Sequence, residues 1–469
     1  MTDSAVAESC RLTVRSPSVS IDLAVPADVP VADLLPTLLR YVGEEAEEAG
    51  LDHAGWVLQR LGDAPLDEET TLARAGLADG AVLYLRPHTE ALPEARLDDL
   101  VDGIAETVGR RLRTWSPAAA RGLLVGTAVA TVATALVLVF WPGVTTSSGG
   151  SRAACAALVG LLLLAGAGSA SRAVGDRASA VALALLVAPC LALVGWVLPG
   201  GDLTGPDAEQ VAGARLLAAG AAGAGGAVLA LAATAVGAPA LLATAMVAVA
   251  TAIAGALMGY TGLDVPAAVA LVATVIVLAA GAVAPFAFKL AGMRMPALPS
   301  TAGQLQEGID PYVGDEVAER TELAGRWVTA LFAGTGTIAA AALVVLAETP
   351  DLPEVLTGLA LSLLLLLHSR GLVHIGQRLT LALPGTLGLL LMARAWAFDS
   401  GADGRVVVFG VLLAAAAGIV VASWTLPGRR VLPYWGRAAE LAHTGLAVAL
   451  LPFTLWVAGL FGWLRGLFG

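Results

Sequence analysis

The sequence predicts two parts of different class: a small mixed α/β head at the N-terminus and an all-α body that crosses a membrane eleven times. Three observations predict it. Of 469 residues, 57% are hydrophobic and only 14% charged, with a mean hydropathy of +0.79. Soluble domains carry about 25% charged residues, so the polar shell of a globular protein of this length is missing, which excludes a soluble enzyme and a disordered chain. The formal net charge of −11 is also unevenly placed: residues 1–115 hold 10 of the 27 Lys and Arg and 21 of the 38 Asp and Glu, while the remainder balances at 17 against 17. Finally, apolar runs of about 20 residues, the length that spans a bilayer core, recur throughout that neutral remainder. Nucleic acid is not an expected partner, because binding phosphate needs a basic patch and the head is acidic.

Residues 1–9 are expected to be an N-terminal tail and not a secretory signal, because Asp3 and Glu8 stand where a basic segment belongs and no apolar run follows. The head proper spans 10–88. Cys10–Ser16 and Val19–Val25 alternate apolar and polar at period two around Ser16-Pro17-Ser18, the pattern of a hairpin. Leu34, Leu38 and Tyr41 or Val42 then share one helical face, and the helix ends in the acidic run Glu44, Glu45, Glu47 and Glu48 before Gly50. Pro36 fits if Asp33 caps this helix and Pro36 falls in its first turn; a start near Asp28 with a kink is the alternative. Trp56–Leu61 reads as a third strand and Ala81–Arg86 as a last one, separated by a turn at 62–66 and the segment Thr70–Leu77. Hairpin, helix, strand, short elements, strand is the order of a β-grasp, and residues 60–87 resemble the second half of ubiquitin in spacing. The last strand runs into Arg86-Pro87-His88 with no Gly-Gly terminus, and the chain continues. Conjugation needs a free terminal glycine carboxylate, so the head is a fixed binding module. The four glutamates are a candidate docking patch, with a solvated helix end as the plainer reading.

Residues 89–121 form a linker and juxtamembrane helix, with Leu97, Leu100, Val101, Ile104, Val108 and Leu112 on one stripe. Arg110, Arg111, Arg113 and Trp115 follow directly before the first apolar run, the way a chain meets the cytoplasmic leaflet. The head is therefore expected in the cytoplasm. Spans are expected near 122–141, 153–171, 178–198, 211–235, 239–259, 265–288, 326–347, 354–370, 378–397, 405–426 and 439–463, within a membrane domain covering 122–469. The positive-inside rule tests that count. With the head inside, the inner loops carry Arg172 and Arg177; Lys289, Arg294, Arg320 and Arg326 (loop 289–326); Arg370 and Arg378; and Arg429, Arg430 and Arg437. The outer loops carry Asp202, Asp207, Glu209, Asp264, Glu348, Asp351, Asp399 and Asp403, with Arg152 and Arg465 as exceptions. This register puts the C-terminus outside.

Chemistry-bearing motifs are scarce. The single lysine, Lys289, lies between Phe288 and Leu290, so no Walker A loop exists. His53, His88, His368, His374 and His443 show no metal spacing, and no GxSxG elbow appears. Cys10, Cys155 and Cys190 share no CxxC spacing and read as small buried hydrophobes. Arg215, Arg394, Glu440 and His443 fall near span ends where they can snorkel, with Arg394 anchored beside Trp396 and Asp399; Pro189 and Pro285 read as kinks. Catalytic, metal and cofactor sites are not expected.

A ubiquitin-like head followed by eleven spans closely resembles EccD, the integral membrane component of the actinobacterial type VII (ESX) secretion system. The resemblance covers the whole chain, and its local carriers are Val29–Pro36, Met295–Pro299 and Val317–Leu331. It implies a non-enzymatic scaffold in the bacterial inner membrane that pairs into homodimers around a lipid-filled space. It also implies assembly with EccB, EccE and the FtsK/SpoIIIE-like ATPase EccC, with the heads contacting EccC and EccE. A stand-alone transporter with a regulatory head is the alternative; the lack of an ionisable pair at mid-membrane weighs against it.

Overall fold

The computed structural model describes residues 9–16, 19–42, 55–77, 79–92, 117–140, 149–293, 314–425 and 433–468. The chain divides into two compact units, 1–116 and 117–469.

In the first unit, β1 (Ser9–Arg15) and β2 (Ser20–Pro26) pair antiparallel with Leu12 opposite Leu23. Helix α1 (Val31–Val42) follows, then β3 (Trp56–Arg60) and β4 (Ala81–Pro87). β4 lies parallel to β1 and antiparallel to β3, giving the mixed order β2-β1-β4-β3. This is the ubiquitin-like β-grasp that the element order predicts. One face of the sheet and the inner face of α1 share a core of Leu12, Val14, Leu34, Leu38, Leu83 and Leu85.

The start of α1 differs from the expectation. The helix begins at Val31, two residues before Asp33, so Pro36 sits inside it and not in its first turn. The first free N–H groups need no side-chain cap, because Val31 donates to the Thr70 carbonyl (3.0 Å) and Ala32 to the Glu68 carbonyl (2.9 Å). A segment nearly forty residues away thus does the work expected of Asp33.

The second unit is helical, and eleven of its helical stretches are long and apolar enough to cross a membrane. Spans one to five are α2 (Pro117–Phe140), α3 (Gly149–Ser169), α4 (Arg177–Val197), α5 (Ala208–Thr234) and α6 (Ala238–Thr261). The sixth is broken into α7 (Val265–Leu278), a tighter turn at Ala279–Ala282, and α8 (Val283–Leu290). Pro285 has no N–H for the carbonyl four residues back, which accounts for the interruption just before it. α4, by contrast, runs unbroken through Pro189. The remaining spans are α9 (Gly314–Glu348), α10 (Leu352–Ser369), α11 (Ile375–Asp399), α12 (Gly401–Thr425) and α13 (Pro433–Val457), with a short α14 (Leu460–Phe468) after them.

α9 starts a dozen residues before the expected span. Its extra turns carry Glu316 paired with Arg320 and Glu322 with Arg326 (2.6 Å), both at the i,i+4 spacing that favours helix. α9 is also the centre of the bundle: 67% of its apolar window is buried, against 0% for α2 and 6% for α12, whose surfaces face outward. Phe332, Leu343, Leu361, Leu364, Leu381 and Leu450 form the main core around it.

At a few glycines the absence of a side chain lets helix backbones approach closely. A Cβ on Gly255 of α6 would fall on the backbone of Leu217 and 2.6 Å from the Gly213 carbonyl of α5; one on Gly220 would fall on Ala252. In the second half of the body, Gly336 of α9 meets the Thr380 carbonyl and Gly388 of α11 meets Ser362.

Candidate functional site

Eight residues were expected to carry contacts: Arg110, Arg111, Arg113 and Trp115 at the membrane entry, and Glu44, Glu45, Glu47 and Glu48 after α1. All eight lie outside the described residues.

In the head, Gln59 of β3 is fully buried and holds the chain that leaves β4. Its Nε2 donates to the carbonyls of Asp63 and Leu92, both at 2.6 Å, and its Oε1 accepts from the Leu92 N–H at 2.8 Å. A polar residue inside a strand gives no sequence signal for this role. Cys10 is buried, and desolvation first, then the neighbouring Asp79 charge, pushes its thiol pKa up, so it stays a packing group. Cys190 is buried as well, but Cys155 is exposed on the surface of α3, contrary to the reading of all three as buried; an apolar setting in a span needs no covering protein.

Charged groups in the body are held at span ends. Arg215 donates from Nε to the Gly200 carbonyl (2.9 Å) and from Nη2 to that of Gly201 (2.5 Å), with Trp196 under its guanidinium at 5.7 Å. It thereby satisfies the loop between α4 and α5. Arg394 pairs with Glu348 of α9 at 2.6 Å, and not with Asp399 on its own helix. Arg172 and Ser171 donate to Ala232 and Thr234, carbonyls in the last turn of α5 that the helix itself leaves free.

Three further contacts were illegible in the sequence. His368 Nδ1 of α10 lies 3.4 Å from His443 Nε2 of α13, and Phe332 packs edge-on against the His368 ring. Thr274 of α7 and Thr454 of α13 share a buried hydroxyl pair at 2.8 Å. These residues are 75 and 180 positions apart, so only helix packing reveals them. Among the described residues, no group of three or more His, Cys, Asp or Glu is placed to hold a metal ion.

The body also contains a crevice of about 1710 Å³ walled by α4, α5, α6, α9 and the start of α11. Its lining is rich in alanines and glycines such as Ala192, Gly223 and Ala333, and it also includes the exposed Arg177, Glu322, Arg326 and His374. Both Arg177, at the start of α4, and Arg326, within α9, line this one crevice, because alternating spans bring the first halves of α4 and α9 to the same side.

The EccD-like transmembrane domain family matches residues 120–467, and the family of YukD, from the WXG100 protein secretion system, matches 9–85. The ESX-4 secretion system protein eccD4 of Mycobacterium tuberculosis is 29% identical over 475 residues, covering 97% of each chain. Protomer 1 of the ESX-3 core complex shares the fold at a TM-score of 0.56 and 18% identity, over 97% of this chain and 99% of the other. A chain of the MycP5-free ESX-5 inner membrane complex does so at 0.53 and 20%, over 88% and 99%. The transmembrane match runs through all eleven candidate spans, and on that ground the chain belongs to the EccD family.

Proposed function

We propose that the chain is a non-enzymatic structural subunit of a type VII (ESX) secretion complex in the bacterial inner membrane. The observation that carries this is the union, in one chain, of a ubiquitin-like head and an eleven-span body of the EccD family. The body scaffolds the assembly as a homodimer, and the head docks the ATPase subunit. EccB, EccE and an FtsK/SpoIIIE-like EccC are the partners in this reading, together with membrane lipid. Residues 10–88 form the docking domain, 89–121 the connection, and 122–469 the membrane domain with its loop at 289–326. The head and the arginine-bearing loops face the cytoplasm and the C-terminus lies outside, which the charge asymmetry of the loops supports. Arg110, Arg111, Arg113 and Trp115 anchor the entry to the membrane, and Glu44, Glu45, Glu47 and Glu48 form part of the docking surface.

Two features favour a scaffold over a transporter. Arg215 and Arg394 are engaged in loop and interhelical contacts at span ends. The body also packs its helix backbones closely at Gly220, Gly255 and Gly336, as a fixed bundle does.

Mild-detergent purification of the tagged full-length chain tests the proposal. It is expected to come out as a large particle containing the ATPase and sister subunits. A small particle that always runs alone and moves a solute across liposomes would support the transporter reading instead.

A further inference from the structure

We propose that the crevice between α4, α6 and α9 is a binding site for one anionic phospholipid, with its phosphate at Arg177 and Arg326 and an acyl chain along the alanine and glycine wall. Three features carry this, and none depends on the secretion reading.

The interior is closed to polar occupants. Four threonines line it beyond the arginines, and each donates its hydroxyl to a carbonyl of its own helix: Thr244 to Leu241, Thr251 to Val247, Thr329 to Gly325 and Thr337 to Ala333. The amide of Gln377 is likewise turned to the Gly325 carbonyl. A water or hydrophilic solute would leave its hydrogen bonds on entering and find few replacements. Alkyl chains lose nothing there.

The part of the crevice beyond the arginines has the depth of one leaflet. From Arg326 to Thr337 the α9 wall climbs about 16 Å at 1.5 Å per residue, and the α6 wall from Ala240 to Thr251 climbs about the same, while the α9 lining before Arg326, back to Ala318, is carried by the polar extra turns of that helix. Half of a hydrocarbon core of ~30 Å is about 15 Å. The arginines therefore stand at headgroup height when the threonines at the far end reach the bilayer midplane.

The charge is complementary. Arg177 and Arg326 are both exposed and both line this crevice, and guanidinium is the side chain best shaped to hold a phosphate with two hydrogen bonds. Glu322 is the carboxylate among the lining residues, and it already pairs with Arg326, so the crevice keeps one net positive charge for an anionic headgroup.

Native mass spectrometry of the full-length chain tests the site, after exchange into micelles holding either phosphatidylglycerol or phosphatidylcholine. The wild type is expected to retain one phosphatidylglycerol at least tenfold more strongly than phosphatidylcholine. Arg177→Gln with Arg326→Gln, both exposed and free of core packing, is expected to abolish that preference. Ala330→Phe, which puts a ring into the crevice, is expected to reduce retention of both lipids, with an unchanged melting profile confirming the fold. Retention of phosphatidylglycerol that neither variant alters would overturn the proposal. So would an Ala330→Phe protein that keeps its lipid but loses a sister subunit, since the crevice would then hold a partner's helix.

Discussion

Gln59 and Leu92 are joined through both polar groups of the Gln59 amide: the side chain accepts from the Leu92 N–H at 2.8 Å and donates to its carbonyl at 2.6 Å. The pair imitates one rung of a β-ladder with a side chain in place of a strand. It fixes where the polypeptide departs from the head, because Leu92 lies five residues beyond the end of β4.

Gln59→Leu keeps the volume and removes the bonds. With the Leu92 and Asp63 backbone groups left unpaired, the head should lose about 2–3 kcal/mol. Hydrogen exchange on the full-length chain should show the Leu92 amide exchanging at least tenfold faster, whereas unchanged protection would mean that the exit is held by something else.

Close helix contact at Gly255 predicts a contrast between two neighbouring glycines. Gly255→Ala forces a methyl onto the backbone of α5 and is expected to cost about 1–3 kcal/mol. Gly259→Ala, whose added Cβ meets nothing within 4 Å, should leave stability unchanged or slightly raised. Thermal midpoints of the two variants in the same detergent decide the matter.

Ala235 ends α5 with φ of 54°, a left-handed conformation that costs an L-residue roughly 1–2 kcal/mol. Ala235→Gly relieves this strain and adds flexibility to the unfolded chain, for a net gain of about 0.5–1 kcal/mol. A lower midpoint in the variant would contradict the assignment of strain.

Asp176 caps α4 by accepting from the Ser179 hydroxyl at 2.7 Å and its N–H at 3.1 Å. The side-chain bond first, and the backbone bond next, hold its carboxyl below the usual carboxylate range. Its contribution is therefore full above the unfolded carboxylate value and fades as pH falls through the lowered folded one. Asp176→Asn retains an acceptor oxygen and does not titrate, so its midpoint should fall less steeply with acidification than that of the wild type. Parallel curves would remove Asp176 from the account.

The parts of the fold legible in the sequence were those set by solvent. Lipid demands some 20 apolar residues per crossing, so eleven spans could be counted, and a half-buried sheet demands alternation, so β1 and β2 stood out at Cys10–Ser16 and Val19–Val25. What stayed hidden depended on specific partners far away in the chain. Asp33 had the right residue type for a cap, but the helix starts two residues before it, where the Thr70 and Glu68 carbonyls take the N–H groups of Val31 and Ala32. Arg394 had Asp399 nearby in sequence, yet Glu348 on another helix receives it. Glycines are so frequent in the body that no pattern singled out Gly220 and Gly255 as the pair between α5 and α6. The crevice was invisible for the same reason, since its wall has the composition of every other span.

The central claim is that the head recruits the energy-supplying subunit while the body alone inserts and assembles. Deleting residues 1–88 and measuring how much of the FtsK-like ATPase co-purifies with the truncated, membrane-inserted chain tests it most directly. The expected result is an inserted protein that brings down sister membrane subunits with little or no ATPase. ATPase recovered at the full-length level would contradict the claim.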